Sequence, residues 1–186
     1  MTCFFNCSRS AAVAAGSLFT ILAICGTANA VTDTIFKYTA PKTGYFTIDG
    51  LAMSPDSAGA DYFIDFSGGL GLNSGSGTCF TAGVNLPNGA KITGVAAYYR
   101  SGMGSVLAVK LFSHKLTDGV SNEIASKALT DDSGTRKAAN LTLVSTPAAL
   151  IVNNAQFSYG LGVCLTTTDN KFYAVRITYT YDNAGD

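Results

Sequence analysis

Tyr98-Tyr99-Arg100 is the densest run of recognition chemistry in this chain of 186 residues. Tyrosine rings stack on the apolar faces of sugars, and a guanidinium grips a carboxylate through two parallel hydrogen bonds. The opposing reading is packing, because aromatic residues in strands pair with cross-strand neighbours. The absence of Trp leans toward packing rather than a carbohydrate platform. His114, the only histidine, is the fourth candidate for ligand contact. A Ser-His-Asp centre is defined in space rather than by chain order, so one here must use His114. No G-x-S-x-G elbow, H-E-x-x-H or Walker loop accompanies it, and no catalytic residue is assigned.

Other chemistry-bearing stretches read as conformational. Ser67–Thr78 carries five glycines but lacks the following helix and lysine of a phosphate cradle, so it reads as a flexible loop. Asp61, Asp65, Asp131 and Asp132 offer hard oxygens, yet the D-x-[DN]-x-[DN]-G pattern is missing. A metal centre would need partners beyond one histidine, and no cofactor motif is present, so neither a metal nor a cofactor is expected. Asn140-Leu141-Thr142 matches the glycosylation sequon and reads as an outward strand position.

The elements that must carry these residues begin with a leader. Arg9, the apolar run Ala11–Cys25 and Ala28-Asn29-Ala30 have the order of a secretory signal peptide. The run is about 15 residues, short of the ~20 that cross a bilayer. We expect cleavage after Ala30, a mature domain spanning 31–186, and no membrane span once the leader is gone. Only Arg9 is charged in the leader, so 12 Lys and Arg in the whole chain become 11, against 12 Asp and Glu. With no basic block, a nucleic-acid partner is not expected. Cys3, Cys7 and Cys25 leave with the leader, and the remaining Cys79 and Cys164 form the even pair of an exported disulfide.

Alternation of apolar and polar residues predicts strands at Thr34–Tyr38, Tyr45–Asp49, Asp61–Phe66, Cys79–Leu86, Lys91–Arg100, Ser105–His114, Ala139–Val144, Phe157–Leu165 and Tyr173–Thr180. Ile124–Leu129 reads as a strand or a single helical turn. Pro41-Lys42-Thr43-Gly44, Pro87-Asn88-Gly89 and Asp131-Asp132-Ser133-Gly134 read as turns. Scarce helix and many short strands give an all-β, antiparallel sandwich or jelly-roll-like single domain. Cys79 and Cys164 both oppose the apolar stripes of their strands, which places the bridge between neighbouring strands on the face away from the core. Val106, Ala108 and Phe112 form a second apolar face, expected to pack in the other layer of the sandwich.

Val84-Asn85-Leu86-Pro87-Asn88-Gly89-Ala90-Lys91-Ile92-Thr93-Gly94, the following Tyr98-Tyr99-Arg100, the Val109–Leu111 strand and the closing Phe172-Tyr173-Ala174-Val175-Arg176-Ile177-Thr178-Tyr179 resemble a loose group of uncharacterised exported bacterial β-sandwich proteins. That resemblance implies a bacterial, exported, sandwich-like domain and brings no catalytic residues. The expected activity is non-enzymatic: binding of a glycan or protein ligand outside the cell, or assembly through strand edges or through an outward Val106, Ala108 and Phe112 face. The alternative is a secreted hydrolase or lyase on a jelly-roll scaffold, with Tyr98 or Tyr99, Arg100 and His114 around one groove.

Overall fold

The computed structural model describes residues 36–184 except 103, 104, 106, 131 and 132. The expected leader, the start of the Thr34–Tyr38 strand, Val106 and the Asp131-Asp132 pair lie outside the described residues. Within them the chain is an antiparallel β-sandwich of two six-stranded sheets. No helix among the described residues is long and apolar enough to cross a membrane.

The first sheet runs β3 (Tyr62–Ile64), β4 (Leu70–Leu72), β12 (Lys171–Ala184), β6 (Lys91–Arg100) and β9 (Lys137–Asn140). The long β1 (Phe36–Asp49) pairs with β12 on the side it shares with β4, from Ala174 onward. The second sheet runs β10 (Thr142–Leu143), β8 (Ser121–Leu129), β7 (Leu107–Lys115), β11 (Phe157–Leu165), β5 (Thr78–Val84) and β2 (Ser54–Pro55). Their inner faces share one core, including Leu70, Phe80, Ile92, Val95, Leu107, Leu111, Leu161, Phe172, Val175 and Ile177.

Several expectations are corrected. Pro41–Gly44 does not reverse the chain; β1 runs straight through it, and the irregularity falls as a register shift between Lys37 and Lys42. Proline is accepted there because β1 is an edge strand, where a missing N–H leaves no ladder bond unmade. The Gly-rich Ser67–Thr78 segment holds the fully buried β4, since Leu70 and Leu72 are apolar enough to anchor it in the core. Ala139–Val144 is divided between the sheets: β9 pairs with β6 and β10 with β8, with Leu141 buried at the crossing. Ile124–Leu129 is strand, extended back to Ser121.

Phe112 and Ala108 find no second layer over them. They lie on the outer face of the second sheet, where the Phe112 ring covers Gly160 and Gly162 of β11. A Cβ on Gly160 would overlap that ring, whereas one on Gly83, paired with Gly160 from the other side, would meet nothing within 4 Å. The Cys79–Cys164 bridge is on this same outer face, across a directly facing pair of β5 and β11, with Cα atoms 4.0 Å apart. It closes a separation of 85 residues.

Gly160→Val should lower stability by about 1–3 kcal/mol through overpacking, read from urea midpoints, while Gly83→Val should change little. Replacing both Cys79 and Cys164 by Ser should cost about 4–5 kcal/mol on the chain-entropy scale for a loop of that length. A double variant with the urea midpoint of the parent would contradict a bridge that constrains the unfolded chain.

Candidate functional site

The alternation in β6 divides the predicted ligand residues. Val95, Ala97 and Tyr99 point inward, and Tyr99 is only 5% exposed. Tyr98 and Arg100 point outward from the first sheet and are half-buried. His114 lies on the outer face of the other sheet, its ring 4.7 Å from that of Phe112 and its Nδ1 hydrogen-bonded to Ser121 Oγ. Tyr99 is therefore core, and His114 is separated from Tyr98 and Arg100 by the thickness of the sandwich. The single groove required by the hydrolase or lyase alternative is not assembled.

Around Tyr98 and Arg100 the first sheet gathers partners from other segments of the chain. Two register shifts are responsible. One between Phe172 and Ala174 keeps Phe172 and Val175 both in the core, and turns Tyr173 and Ala174 outward. The other, at Thr93 of β6, keeps Ile92 in the core with Val95. Tyr173 then lies against Gly69, where a Cβ would come within 2.9 Å of its ring, and beneath Arg136, whose guanidinium is 4.2 Å from the ring centroid. On the same face Arg176 is 5.5 Å from the ring of Tyr45, which is 63% exposed. Residue pairs fix the layout: Lys171 faces Arg100, Ala174 faces Tyr98, Arg176 faces Ala96, and Ala138 faces Tyr98 from β9.

A buried polar cluster holds the strand ends that carry Arg100 and Lys171. Ser101 Oγ lies 2.9 Å from Ser105 Oγ, which is 2.7 Å from Asn170 Oδ1. The connection after β6 is thereby tied to the turn before β12. Such a network rigidifies a site when its members are satisfied by one another.

The acid beside Lys171 is already engaged. Asp65 Oδ2 accepts from Lys171 Nζ at 2.7 Å, and its Oδ1 accepts from the Ser67 and Gly69 N–H groups and the Ser67 hydroxyl. Lys171, then Ser67 and the Gly69 amide, hold the Asp65 carboxyl far below the ordinary carboxylate range. Asp49 caps the short 3-10 turn after β1 through the Ala52 N–H. Lys171 is thus neutralised, while the Arg100 guanidinium has no ion-pair or hydrogen-bond partner among the described residues.

A concavity of about 800 Å³ opens elsewhere, beside the second sheet. Its wall includes Ser113, Asn122, Asn153, Gln156, Phe157 and Tyr159. Tyr159 Oη accepts from the Asn153 N–H at 2.7 Å, fixing the loop that forms one side. Glu123 on its rim is spent on Ser126 and on Lys110, 3.0 Å away. The volume is in the range of small-ligand sites, but the wall offers one accessible ring edge against the several rings of the sheet face.

The chain matches no protein-family model and no curated protein. Among solved structures it is similar to the xylan-binding module CBM15, at 13% identity over 74% of this chain and 97% of that one, with a TM-score of 0.46. It is similar to the CBM22-1–GH10 modules of Clostridium thermocellum endo-1,4-beta-D-xylanase 10B at 11% identity and a TM-score of 0.43, covering 77% of this chain and 28% of that one. The infectious bursal disease virus VP2 subviral particle matches at 15% identity and a TM-score of 0.36, over 76% of this chain and 33% of that one.

The Asp65 geometry fixes the sign of a pH effect. A carboxylate whose folded pKa is lowered contributes stability above its unfolded pKa of about 4, and loses it as pH falls through the folded value. Asp65→Asn should melt below the parent at pH 7, with the gap constant to about pH 5 and shrinking below about pH 4. A gap that is the same at pH 7 and pH 2 would contradict an ionised Asp65 as the anchor of Lys171.

Proposed function

We propose that this chain is an exported protein that acts by binding, and that the outer face of its first sheet holds a glycan. The observation that carries the reading is the alternation of rings and guanidiniums on that face: Tyr45, Tyr98 and Tyr173 with Arg100, Arg136 and Arg176. Sugar rings present apolar C–H faces that pack on aromatic rings, and hydroxyls that take hydrogen bonds from a planar donor set such as guanidinium. The face crosses several strands, which suits a ligand longer than one sugar. Export is supported by the leader and by the bridged Cys79–Cys164 pair, since such bonds persist in oxidising compartments.

Edge-to-edge assembly has less to work with. The terminal strands β2 and β10 have two residues each, β3 three and β9 four. The long free side of β1 carries Lys37, Pro41 and Lys42 within its irregular stretch. Short edges, edge lysines, proline and bulges are the devices that discourage strand addition.

A glycan array followed by calorimetry on the mature chain tests the reading. Tyr98→Ala should weaken binding about tenfold, the scale of one lost ring contact, with an unchanged melting profile. Phe157→Ala, in the cleft beside the second sheet, should leave affinity as it is. The opposite pattern would move the site to the cleft, and no retained glycan of any class would end the reading.

A further inference from the structure

We infer that the ligand of this face is an acidic polysaccharide carrying uronate carboxylates, a deduction that rests on the glycan reading above and specifies its class. The chain as a whole is neutral, so a concentration of cations on one sheet face is a local arrangement. Lys171 is neutralised by Asp65, while Asp49, which accepts from the Ala52 N–H, keeps its charge. Arg100, Arg136 and Arg176 face outward, and none of them forms an ion pair with an acid among the described residues.

Two of these guanidiniums have a ring within cation–π reach, Arg136 at 4.2 Å and Arg176 at 5.5 Å. Arg136 lies over Tyr173 and Arg176 over Tyr45. A guanidinium that turns its face to a ring keeps the N–H groups in its own plane for bidentate pairing with a carboxylate. Arg100, half-buried and with no ion-pair or hydrogen-bond partner for its guanidinium among the described residues, is the third. Arg176 faces Ala96, four residues from Arg100 along β6, a span of about 13 Å at the rise of a strand. Cations at that interval match carboxylates repeated along a polymer better than a single small anion.

An acidic peptide is the other polyanion such a face could attract. Extended peptides gain affinity by pairing their backbone with a sheet edge, and here β4, β12 and β6 are already paired on both sides. A sugar polymer needs only side-chain partners, which this face supplies. Exposed Tyr45 and the outward ring of Tyr98 give it apolar contact as well.

The test is affinity electrophoresis and calorimetry of the mature chain against polygalacturonate, dextran sulfate, neutral dextran, xylohexaose and poly-aspartate. Retention by polygalacturonate is expected, weakening several-fold between about 50 and about 200 mM salt and at least tenfold in an Arg100→Gln/Arg136→Gln/Arg176→Gln variant of unchanged melting temperature. Neutral glycans bound equally well, with Tyr98 dependence and no salt effect, would overturn the acidic class and leave the glycan reading standing. Stronger retention by dextran sulfate would overturn the carboxylate in favour of sulfate esters. Poly-aspartate bound with no glycan retained would overturn both.

Discussion

The inward packing of β12 is the constraint on which the rest of the structure depends. This strand pairs with β6 on one side and with β4 and β1 on the other, so its register sets that of the whole first sheet. Phe172, Val175 and Ile177 must all be buried, yet strict alternation would place Phe172 opposite in sense to the other two. Exposing one such side chain costs about 1.5–3 kcal/mol, while a bulge forfeits a ladder hydrogen bond worth about 1 kcal/mol net. The chain takes the bulge. Its by-product is Tyr173 on the outer face, within reach of Arg136. The aromatic and cationic face is thus generated from inside, by the requirement that the apolar residues of β12 meet the opposing sheet.

The same balance explains what could be read in the residues and what could not. The period of two was legible in β6, β7 and β11, whose bounds follow the apolar pattern closely. It carried the bridge as well: Cys79 and Cys164 oppose their core stripes, and they do face each other on the outer surface. Breaks in the period were illegible, because a bulge at Thr93 or Tyr173 is chosen by long-range packing and leaves no local signature. Composition misled in two places. Glycines around Leu70 and Leu72 suggested mobility, although two fully buried leucines settle the segment as a strand. Pro41 suggested reversal, although an unpaired edge admits proline without loss.

Site residues divide along the same line. Tyr98 and Arg100 stood out because they are adjacent in sequence, and adjacency needs no fold. Tyr45, Arg136, Tyr173 and Arg176 come from three other segments, joined to them only through strand register. Tyr99 and His114 were grouped with them on chemistry alone. Parity puts Tyr99 in the core, and the passage of the chain from β6 to β7 puts His114 on the other sheet. A pattern of residue types names candidates, and the pairing of strands decides which of them meet.

The two outer faces answer the problem of exposed rings in different ways. On the second sheet, Phe112 lies flat over Gly160 and Gly162, and the neighbouring disulfide ties β5 to β11. Glycine there gives the ring a seat, so the apolar surface is consumed within the chain. On the first sheet, Tyr45 and Tyr173 are met by guanidiniums instead. A cation–ring contact orders both groups, yet it keeps the N–H edges of the arginine open to a ligand. One face spends its rings on holding strands together. The other sets its rings beside charges whose hydrogen-bonding capacity is unspent, and that difference, more than the sandwich itself, favours the first sheet as the proposed binding face.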